Sequence, residues 1–420
     1  MKIVEIRKPI AVNDAIERVM DKTKALPIIE VALSDSYGYI LAEPIIAKHD
    51  VPSFNNSPYD GFAIRSEDSV GASGDNRIPF QVKDHIGAGQ VSDHALGKSE
   101  AVRIMTGAPI PVGADAVVML EQTVESESAF TIRKPFKPYE NVSLQGEDSK
   151  KGEMLIPSGT FIHPGTIALL ATFGYAKVKV RKKPVVGILC TGTELLNVED
   201  ELVPGKIRNS NGPMIEAQLK RRGIESRYYG ILSDDLESCC QLVETALAET
   251  DCVITTGGVS VGDFDHLPKI YRRLQAEVLF NKVAMRPGSV STAAFANGKL
   301  LFGLSGNPSA CFTGYELFTK PAIENMMLNN APYTPHTKAK LAEDFLKPNP
   351  FTRFVRSVYR FEGNEAIITP AGFNKSNAVS SIARGNALMV LPGGTRNFVA
   401  GDLVDVLLLG NENGVSSWMQ

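Results

Sequence analysis

The stretch from Pro184 to Leu328 constrains this chain more than any other. Short apolar runs, "PVVGILC", "ESRYYGI", "DCVITT" and "EVLFNKVAM", alternate there with helical stretches such as "GPMIEAQLKRRG" and "DDLESCCQLVETALAE". A last helix follows from Pro308 to about Leu328. Strand and helix alternating at short spacing predict a parallel, doubly wound sheet. In such a sheet, ligands bind outside the carboxyl ends of the strands. Three loops leave those ends: "CTGTELL" at Cys190, "TTGGVSVGD" at Thr255 and "GLSGNPSA" at Gly303. Each is Gly-rich, so backbone can come close to a ligand, and each precedes a helix start or turn whose N–H groups favour an anion. One such loop is weak evidence, because sharp turns also need glycine. Three on one sheet edge point to an anionic ligand.

The rest of the chain reads differently. From Val51 to Val142 it is rich in Gly, Pro and short β-type runs, a small and mostly β domain. After "NNAPYTPH", short strands at regular spacing up to Leu409 predict a small β-barrel or sandwich. Near the N-terminus, "VNDAIERVMDKTKAL" places Ala15, Ile16, Val19 and Met20 on one helical face. A second helix starts at Pro164, suited to a first turn, and ends near Gly174, suited to a cap. These two helices are expected to pack together across the β-rich insertion. The expected domains are therefore residues 1–50 with 143–182 (discontinuous), 51–142 (β-rich), 183–330 (α/β) and 331–420 (C-terminal β-barrel). A net charge of −3 gives no broad basic face, so no nucleic-acid partner is expected. Five cysteines, an odd number without zinc spacing, read as reduced thiols in a cytoplasmic protein. "MKIVEIRKPI" lacks a signal-peptide core, and no apolar stretch is long enough to span a bilayer, so no membrane partner is expected.

Several local patterns do not carry the chemistry they resemble. "GQVSDHALGKS" has Gly-Lys-Ser, but Ser92 stands where a phosphate-binding loop needs glycine. "GAGQVS" lacks the third glycine of a dinucleotide loop. "GVSVG" around Ser260 matches a nucleophile elbow, but no acid followed by a suitably placed histidine comes later. The six histidines form no metal-ligand pair at helical spacing and read as surface or turn residues. The carboxylates ask a sharper question. Glu194, Asp234, Asp263 and Asp265 fall just beyond strand ends, where hard oxygen ligands suit Mg²⁺ beside substrate phosphates. Capping is the competing reading: Asp234 with Glu237 matches a capping box, and Asp265 could cap a helix at His266. Asp263 could simply be solvated, and Glu194 has no clear cap to serve. Lys282 and Arg286, in "FNKVAMRPGSVST", bring positive charge to the same edge, or are an ordinary basic strand end.

Six segments, in order, resemble one family. They are "PSFNNSPYDGFAIR" from Pro52, "RIMTGAPIPVGADAVV" from Arg103, "GILCTGTEL" from Gly187, "GKIRNSN" from Gly205, "TTGGVSVGDFD" from Thr255 and "GLSGNPSACF" from Gly303. The chain resembles the MoeA-type molybdopterin molybdenumtransferases, the family that includes the C-terminal domain of gephyrin, over nearly its whole length. The resemblance implies a four-domain homodimer with sites shared between chains. It implies Mg²⁺-dependent insertion of molybdate into adenylylated molybdopterin with release of AMP, and the adenylyltransferase of the same pathway as a partner. The catalytic positions carried over are Asp60, Thr106, Glu194, Asp234 and Asp265, with Glu194, Asp234 and Asp265 as the metal set. Gly257, Gly258, Ser260, Gly262, Ser305, Gly306 and Asn307 would border the pterin-phosphate substrate. Lys282, Arg286, Arg356 and Ser376 would hold molybdate or substrate phosphate. Two departures stand out. Arg286-Pro287-Gly288-Ser289-Val290 replaces the frequent Lys-Pro-Gly-Lys-Pro, and Ser305-Gly306-Asn307-Pro308 the frequent Pro-Gly-Asn-Pro, where Asn307 still suits an N-cap before Pro308. Two alternatives share the α/β domain type or its ligand: a molybdopterin adenylyltransferase, and a non-catalytic molybdopterin-binding scaffold.

Overall fold

A computed structural model describes residues 7–232, 235–258 and 266–410. The chain divides into two compact units: Met1–Ala42 with Gly159–Ile167 and Lys177–Gln420, and Glu43–Ser158 with Ala168–Ala176.

The first unit is built on a six-stranded sheet in the order Glu225–Leu232, Val185–Thr191, Cys252–Thr256, Lys299–Leu304, Thr292–Ala296, Glu277–Phe280. The first four strands are parallel. Thr292–Ala296 pairs antiparallel on both sides, with Lys299–Leu304 and with Glu277–Phe280, which alternation alone does not anticipate. The local cause is Asn297-Gly298, both at positive φ (52° and 80°), closing a two-residue hairpin between Ala296 and Lys299. "EVLFNKVAM" correspondingly splits into Glu277–Phe280 and the two-residue strand Met285–Arg286.

Period-two alternation divides the sheet's side chains between two cores. Val186, Ile188, Ile254 and Phe302 face Ile215 and Leu219 of the helix Asn211–Lys220. Leu189, Val253 and Leu301 face Cys239, Val243 and Leu247 of the helix Leu236–Glu249. Pro308–Gly314, a π turn at Tyr315–Thr319 and Lys320–Met326 follow one another as the expected last helical run. The N-terminal helix Val12–Met20 commits Ala15 and Val19 to the first of these cores. Its apolar face, expected to meet the helix from Pro164, is thus used on the α/β sheet's helices. Ile28–Ala32 pairs antiparallel with Lys177–Arg181 to give the discontinuous element.

The C-terminal strands form a closed five-stranded barrel: Thr352–Glu362, Glu365–Pro370, His336–Leu341, Leu403–Leu408, Ala387–Leu391 and back to Thr352–Glu362. Ala339, Val355, Ile368, Met389 and Val406 fill it. Met285–Arg286 adds to its outside, with Arg286 opposite Arg353 in parallel register.

The second unit is mostly β. Its six-stranded sheet runs Ala116–Met119, Gly61–Ile64, Glu100–Ile104, Ile78–Ile86, Ala129–Ile132, Thr123–Glu125. Phe62 and Ile64 face one small core, Ala63 the other. A Cβ on Gly61 would lie 2.0 Å from the Val118 carbonyl oxygen, so only glycine lets these strands approach there. Among the described residues, no helix is long and apolar enough to cross a membrane.

Candidate active site

In the first unit, the carboxyl ends of Val185–Thr191, Cys252–Thr256 and Lys299–Leu304 open into a cavity of about 1030 Å³. All three glycine loops reach its wall, through Thr191 to Glu194, Gly257 with Gly258, and Ser305 to Asn307. Gly257 has φ +80°, and a Cβ there would meet the Thr191 carbonyl oxygen at 2.4 Å. The Thr191 hydroxyl donates to the Thr256 carbonyl at 3.0 Å, and the Gly257 N–H to the Leu304 carbonyl at 2.9 Å. The Thr191 hydroxyl thereby ties the first loop to the second, and the Gly257 N–H ties the second to the end of the third strand, with no Cβ at Gly257 to hold them apart. Asn307 sits at the N-cap of Pro308–Gly314, but its side chain makes no capping hydrogen bond, and it lines the cavity instead.

The cavity wall is also cationic. Arg286, Arg353, Arg356 and Lys375 all line it, as do Ser289 and Ser376. Arg356 is buried, at 2% exposure. It donates to the Lys375 carbonyl at 3.0 Å and the Ser381 hydroxyl at 3.3 Å. Burial pushes its guanidinium pKa down to about 10. The loop carrying Ser376 is fixed to the α/β part: the Ser309 N–H donates to the Ser376 carbonyl at 3.0 Å, and the Ser309 hydroxyl to the Ala378 carbonyl at 2.5 Å. The barrel and the strand ends thus supply one concave surface that carries both glycine loops and guanidinium groups.

Comparison with known proteins fits this arrangement. Residues 10–174 match the MoeA N-terminal region (domain I and II), residues 187–325 a probable molybdopterin binding domain, and residues 338–409 the MoeA C-terminal region (domain IV). A molybdopterin molybdenumtransferase of Staphylococcus epidermidis (strain RP62A) is 59% identical over 405 residues, 96% of this chain and 97% of that protein. The chain belongs to the MoeA family. A molybdopterin molybdenumtransferase of Staphylococcus aureus (strain N315) is 59% identical over 406 residues, covering 97% of each chain. Among solved structures, a molybdopterin biosynthesis moeA protein from Pyrococcus horikoshii OT3 superposes with a TM-score of 0.83 at 28% identity, over 96% of this chain and 100% of that one.

Of the positions carried over from the MoeA resemblance, Gly257, Gly258, Glu194, Arg286, Ser305, Gly306, Asn307, Arg356 and Ser376 share the cavity. Lys282 is not on its wall; it is half-buried, and its carbonyl accepts from the Ile10 N–H at 3.1 Å. Asp60 and Thr106 lie in the second unit and bond to each other. The Asp60 carboxylate accepts from the Thr106 N–H at 2.8 Å and its hydroxyl at 3.0 Å. Those two bonds, the backbone one first, hold Asp60 below the ordinary carboxylate pKa. Asp234, Ser260, Gly262, Asp263 and Asp265 lie outside the described residues. Their neighbours still bear on the capping readings. The N-cap of Leu236–Glu249 is Asp235, which accepts from the Ser238 N–H at 2.8 Å, so the cap falls one residue past Asp234. His266, not Asp265, holds the N-cap position of Leu267–Arg273, without a side-chain bond.

Three wall residues escape sequence reading: Arg353, Lys375 and His266. His266, read as a surface or turn histidine, stands half-buried at the N-cap position of Leu267–Arg273 and lines the cavity, and its buried Nδ1 has no hydrogen-bond partner among the described residues. The signal that could have found it is its place directly after the third strand's loop.

Proposed function

We propose that this chain is a molybdopterin molybdenumtransferase that brings adenylylated molybdopterin and molybdate together in the cavity at the strand ends, inserts the oxyanion and releases AMP. The observation that carries this reading is Arg356, a buried guanidinium held by a carbonyl and a hydroxyl, with no carboxylate bonded to it among the described residues. Burying a cation without a counter-charge is costly. An oxyanion arriving beside it supplies the missing charge, so the cost of burial returns as affinity. The Arg356 fork and the Ser376 hydroxyl on the same wall are donors suited to a tetrahedral dianion. The glycine loops leave room for the pterin-phosphate side of the substrate to lie against backbone.

Glu194 is a hard-oxygen donor on the same wall, which fits Mg²⁺. With Asp234 and Asp265 it would hold the ion, whose contribution is to stabilise charge developing on the anhydride. The chain's own part is to seat both anions, to orient the Asp60 carboxylate through Thr106, and to present donors that need no rearrangement. The reading extends to a cytoplasmic homodimer with sites shared between chains, supplied by the adenylyltransferase of the same pathway. Sedimentation at assay concentration tests the dimer, and a monomeric species removes that part.

The deciding experiment incubates the protein with adenylylated molybdopterin and molybdate, with and without Mg²⁺, and measures AMP and incorporated molybdenum. Joint, Mg²⁺-dependent appearance of both is expected. Consumption of ATP with unadenylylated molybdopterin would identify an adenylyltransferase instead, and binding without turnover a scaffold.

A further inference from the structure

We propose that Asn211 is a positioning residue for the reaction: it holds the peptide between Gly306 and Asn307 in one orientation and so fixes which edge of the third glycine loop the substrate meets. This deepens the proposed function and rests on it for the identity of the ligand. Asn211 opens the helix Asn211–Lys220 and is buried, at 6% exposure. Its Nδ2 donates to the Gly306 carbonyl at 2.9 Å, across 95 residues of sequence. A carbonyl can face only the donor end of an amide, so this contact also turns Oδ1 away. That Oδ1 is buried and has no hydrogen-bond partner among the described residues. A buried acceptor left unsatisfied lowers stability. The balance of its contacts therefore gives Asn211 little value as a fold-stabilising residue, and what distinguishes it is where its donor points.

Gly306 has no side chain, so the peptide that follows it can rotate at little steric cost. A trans peptide points its carbonyl and its N–H in opposite directions. With the Gly306 carbonyl turned to Asn211, the Asn307 N–H lies on the other edge, against the Ser305 hydroxyl at 3.2 Å. Ser305, Gly306 and Asn307 line the cavity, whereas Asn211 is not on its wall, so Asn211 acts through the loop. A flipped peptide would exchange an N–H for a carbonyl on the edge shared with Ser305, which is the wrong sign for an anionic substrate. The mount for this contact is rigid. Ile215 and Leu219 of the same helix are buried in the first core. Just before the helix, Ile207–Arg208 pairs in parallel with Leu195–Leu196, and the Asn209 N–H donates to the Leu196 carbonyl at 2.8 Å. The helix start is thereby tied to the first glycine loop. Thr191 ties that loop to the second, and Gly257 ties the second to the third strand's end. Asn211 closes the circuit, because it joins the support of the first loop to the third.

The test compares wild type with Asn211→Leu, which keeps the branched shape and removes the donor. Steady-state AMP release, thermal melting and hydrogen exchange read by mass spectrometry are measured on both. A peptide freed to flip spends part of its time in the wrong orientation, and apparent affinity falls by the competent fraction. Losing one hydrogen bond corresponds to roughly tenfold. KM for adenylylated molybdopterin should rise about tenfold, while kcat stays within about twofold, because bound substrate selects the competent orientation. The molybdate needed for half-maximal rate should stay within about twofold. The melting temperature should move by less than about 3 °C, since the lost bond and the removed unsatisfied acceptor offset each other. Amide exchange over residues 305–307 should quicken before any ligand is added. An unchanged KM overturns the proposal. So does a lowered melting temperature with kcat and KM both impaired, which assigns Asn211 to the architecture. Should Asn211→Leu fail to fold, Asn211→Ala must give the same split between KM and kcat. If the wild type releases no AMP, the transferase reading fails, and titration with molybdopterin alone decides the role of Asn211. Weaker binding by the variant with quicker exchange at 305–307 upholds it, and equal binding overturns it.

Discussion

Glu316 and Arg356 lie in the same unit and are almost equally inaccessible, at 1% and 2% exposure, yet the chain treats them in opposite ways. Glu316 is surrounded by donors, most of them charged. It accepts from Gln218 at 3.0 Å, Arg221 at 2.9 Å and Lys320 at 3.3 Å. Glu324, on the same helical run, is matched by Arg222 at 2.9 Å and Asn329 at 2.7 Å. Both carboxylates are hydrogen-bonded and neutralised. Arg356 is hydrogen-bonded but not neutralised among the described residues, where its acceptors are a carbonyl and a hydroxyl. Hydrogen bonds satisfy geometry; only an opposite charge satisfies the field. A buried charge that the chain itself neutralises belongs to the architecture. One that the chain solvates without neutralising is reserved for something that arrives.

Removing a partner from the neutralised region should have the largest effect. Glu316→Ala leaves Arg221 and Lys320 facing each other without their carboxylate, and should cost about 3 kcal/mol or more in urea denaturation. Its ligand affinities, measured on the folded fraction, should be unchanged. If stability barely moves, burial with full neutralisation is not what distinguishes these residues from Arg356.

Arg356→Met should do the reverse. Stability should not fall, because a buried cation without counter-charge is replaced by an apolar side chain of similar length. Molybdate needed for half-maximal rate should rise about tenfold to a hundredfold. The pH dependence follows from the lowered pKa. A cation whose folded pKa is depressed destabilises the fold below that value, and the penalty is relieved only as pH rises through about 10 toward the ordinary guanidinium range. Below that window the group stays charged, so it contributes no slope in stability or molybdate affinity near neutrality. A wild-type stability curve that climbs steeply between neutrality and the onset of that window, with the climb absent in Arg356→Met, would contradict this.

The same contrast explains what sequence could and could not reveal. The three glycine loops are legible because an apolar run followed by glycines is a local pattern, and an α/β sheet puts all such ends on one edge. The barrel is legible from strand spacing. Arg353 is not, since "TRFVR" reads as any basic strand until Arg286, distant in sequence, pairs beside it. Arg356 carries no local sign that it is buried without a carboxylate. The antiparallel strands are a different case: Asn297-Gly298 is a strong hairpin signal that alternation overshadowed. The cap on Leu236–Glu249 was ambiguous for a simpler reason, because two aspartates stand together and only φ and ψ decide which one begins the helix.

That cap gives the next effect in size. Asp235→Ala should cost about 1 kcal/mol and leave AMP release per folded molecule unchanged, since Asp235 accepts from the Ser238 N–H. Asp234→Ala should shift stability by less than about 0.5 kcal/mol, while Mg²⁺-dependent AMP release is lost. Thermal melts and AMP release on the two variants separate these outcomes. Equal destabilisation with activity retained in both would return Asp234 to a structural role.

The smallest effect extends the comparison to the surface of the second unit. Asp60 is exposed, and like Arg356 it is hydrogen-bonded by neutral groups, here the Thr106 N–H and hydroxyl. Its charge is held chiefly by these bonds, with a smaller contribution from the nearby Arg103 guanidinium. Thr106→Val removes the hydroxyl, keeps the shape and leaves the backbone donor, which is the larger cause of the lowered pKa. The Asp60 carboxyl, followed by carbon-detected NMR titration, should move up toward the ordinary aspartate value and stop short of it. A depressed folded pKa gives stability that is present above the unfolded value and lost as pH falls through the folded one. The variant should lose that contribution at slightly higher pH than wild type, always on the acid side of about pH 4. Near neutrality both forms keep Asp60 ionised, so AMP release should show the same pH profile. If the variant titrates at the ordinary value, the hydroxyl and not the backbone holds the charge. If wild type already does, Asp60 is an unremarkable surface carboxylate, and the parallel with Arg356 is broken.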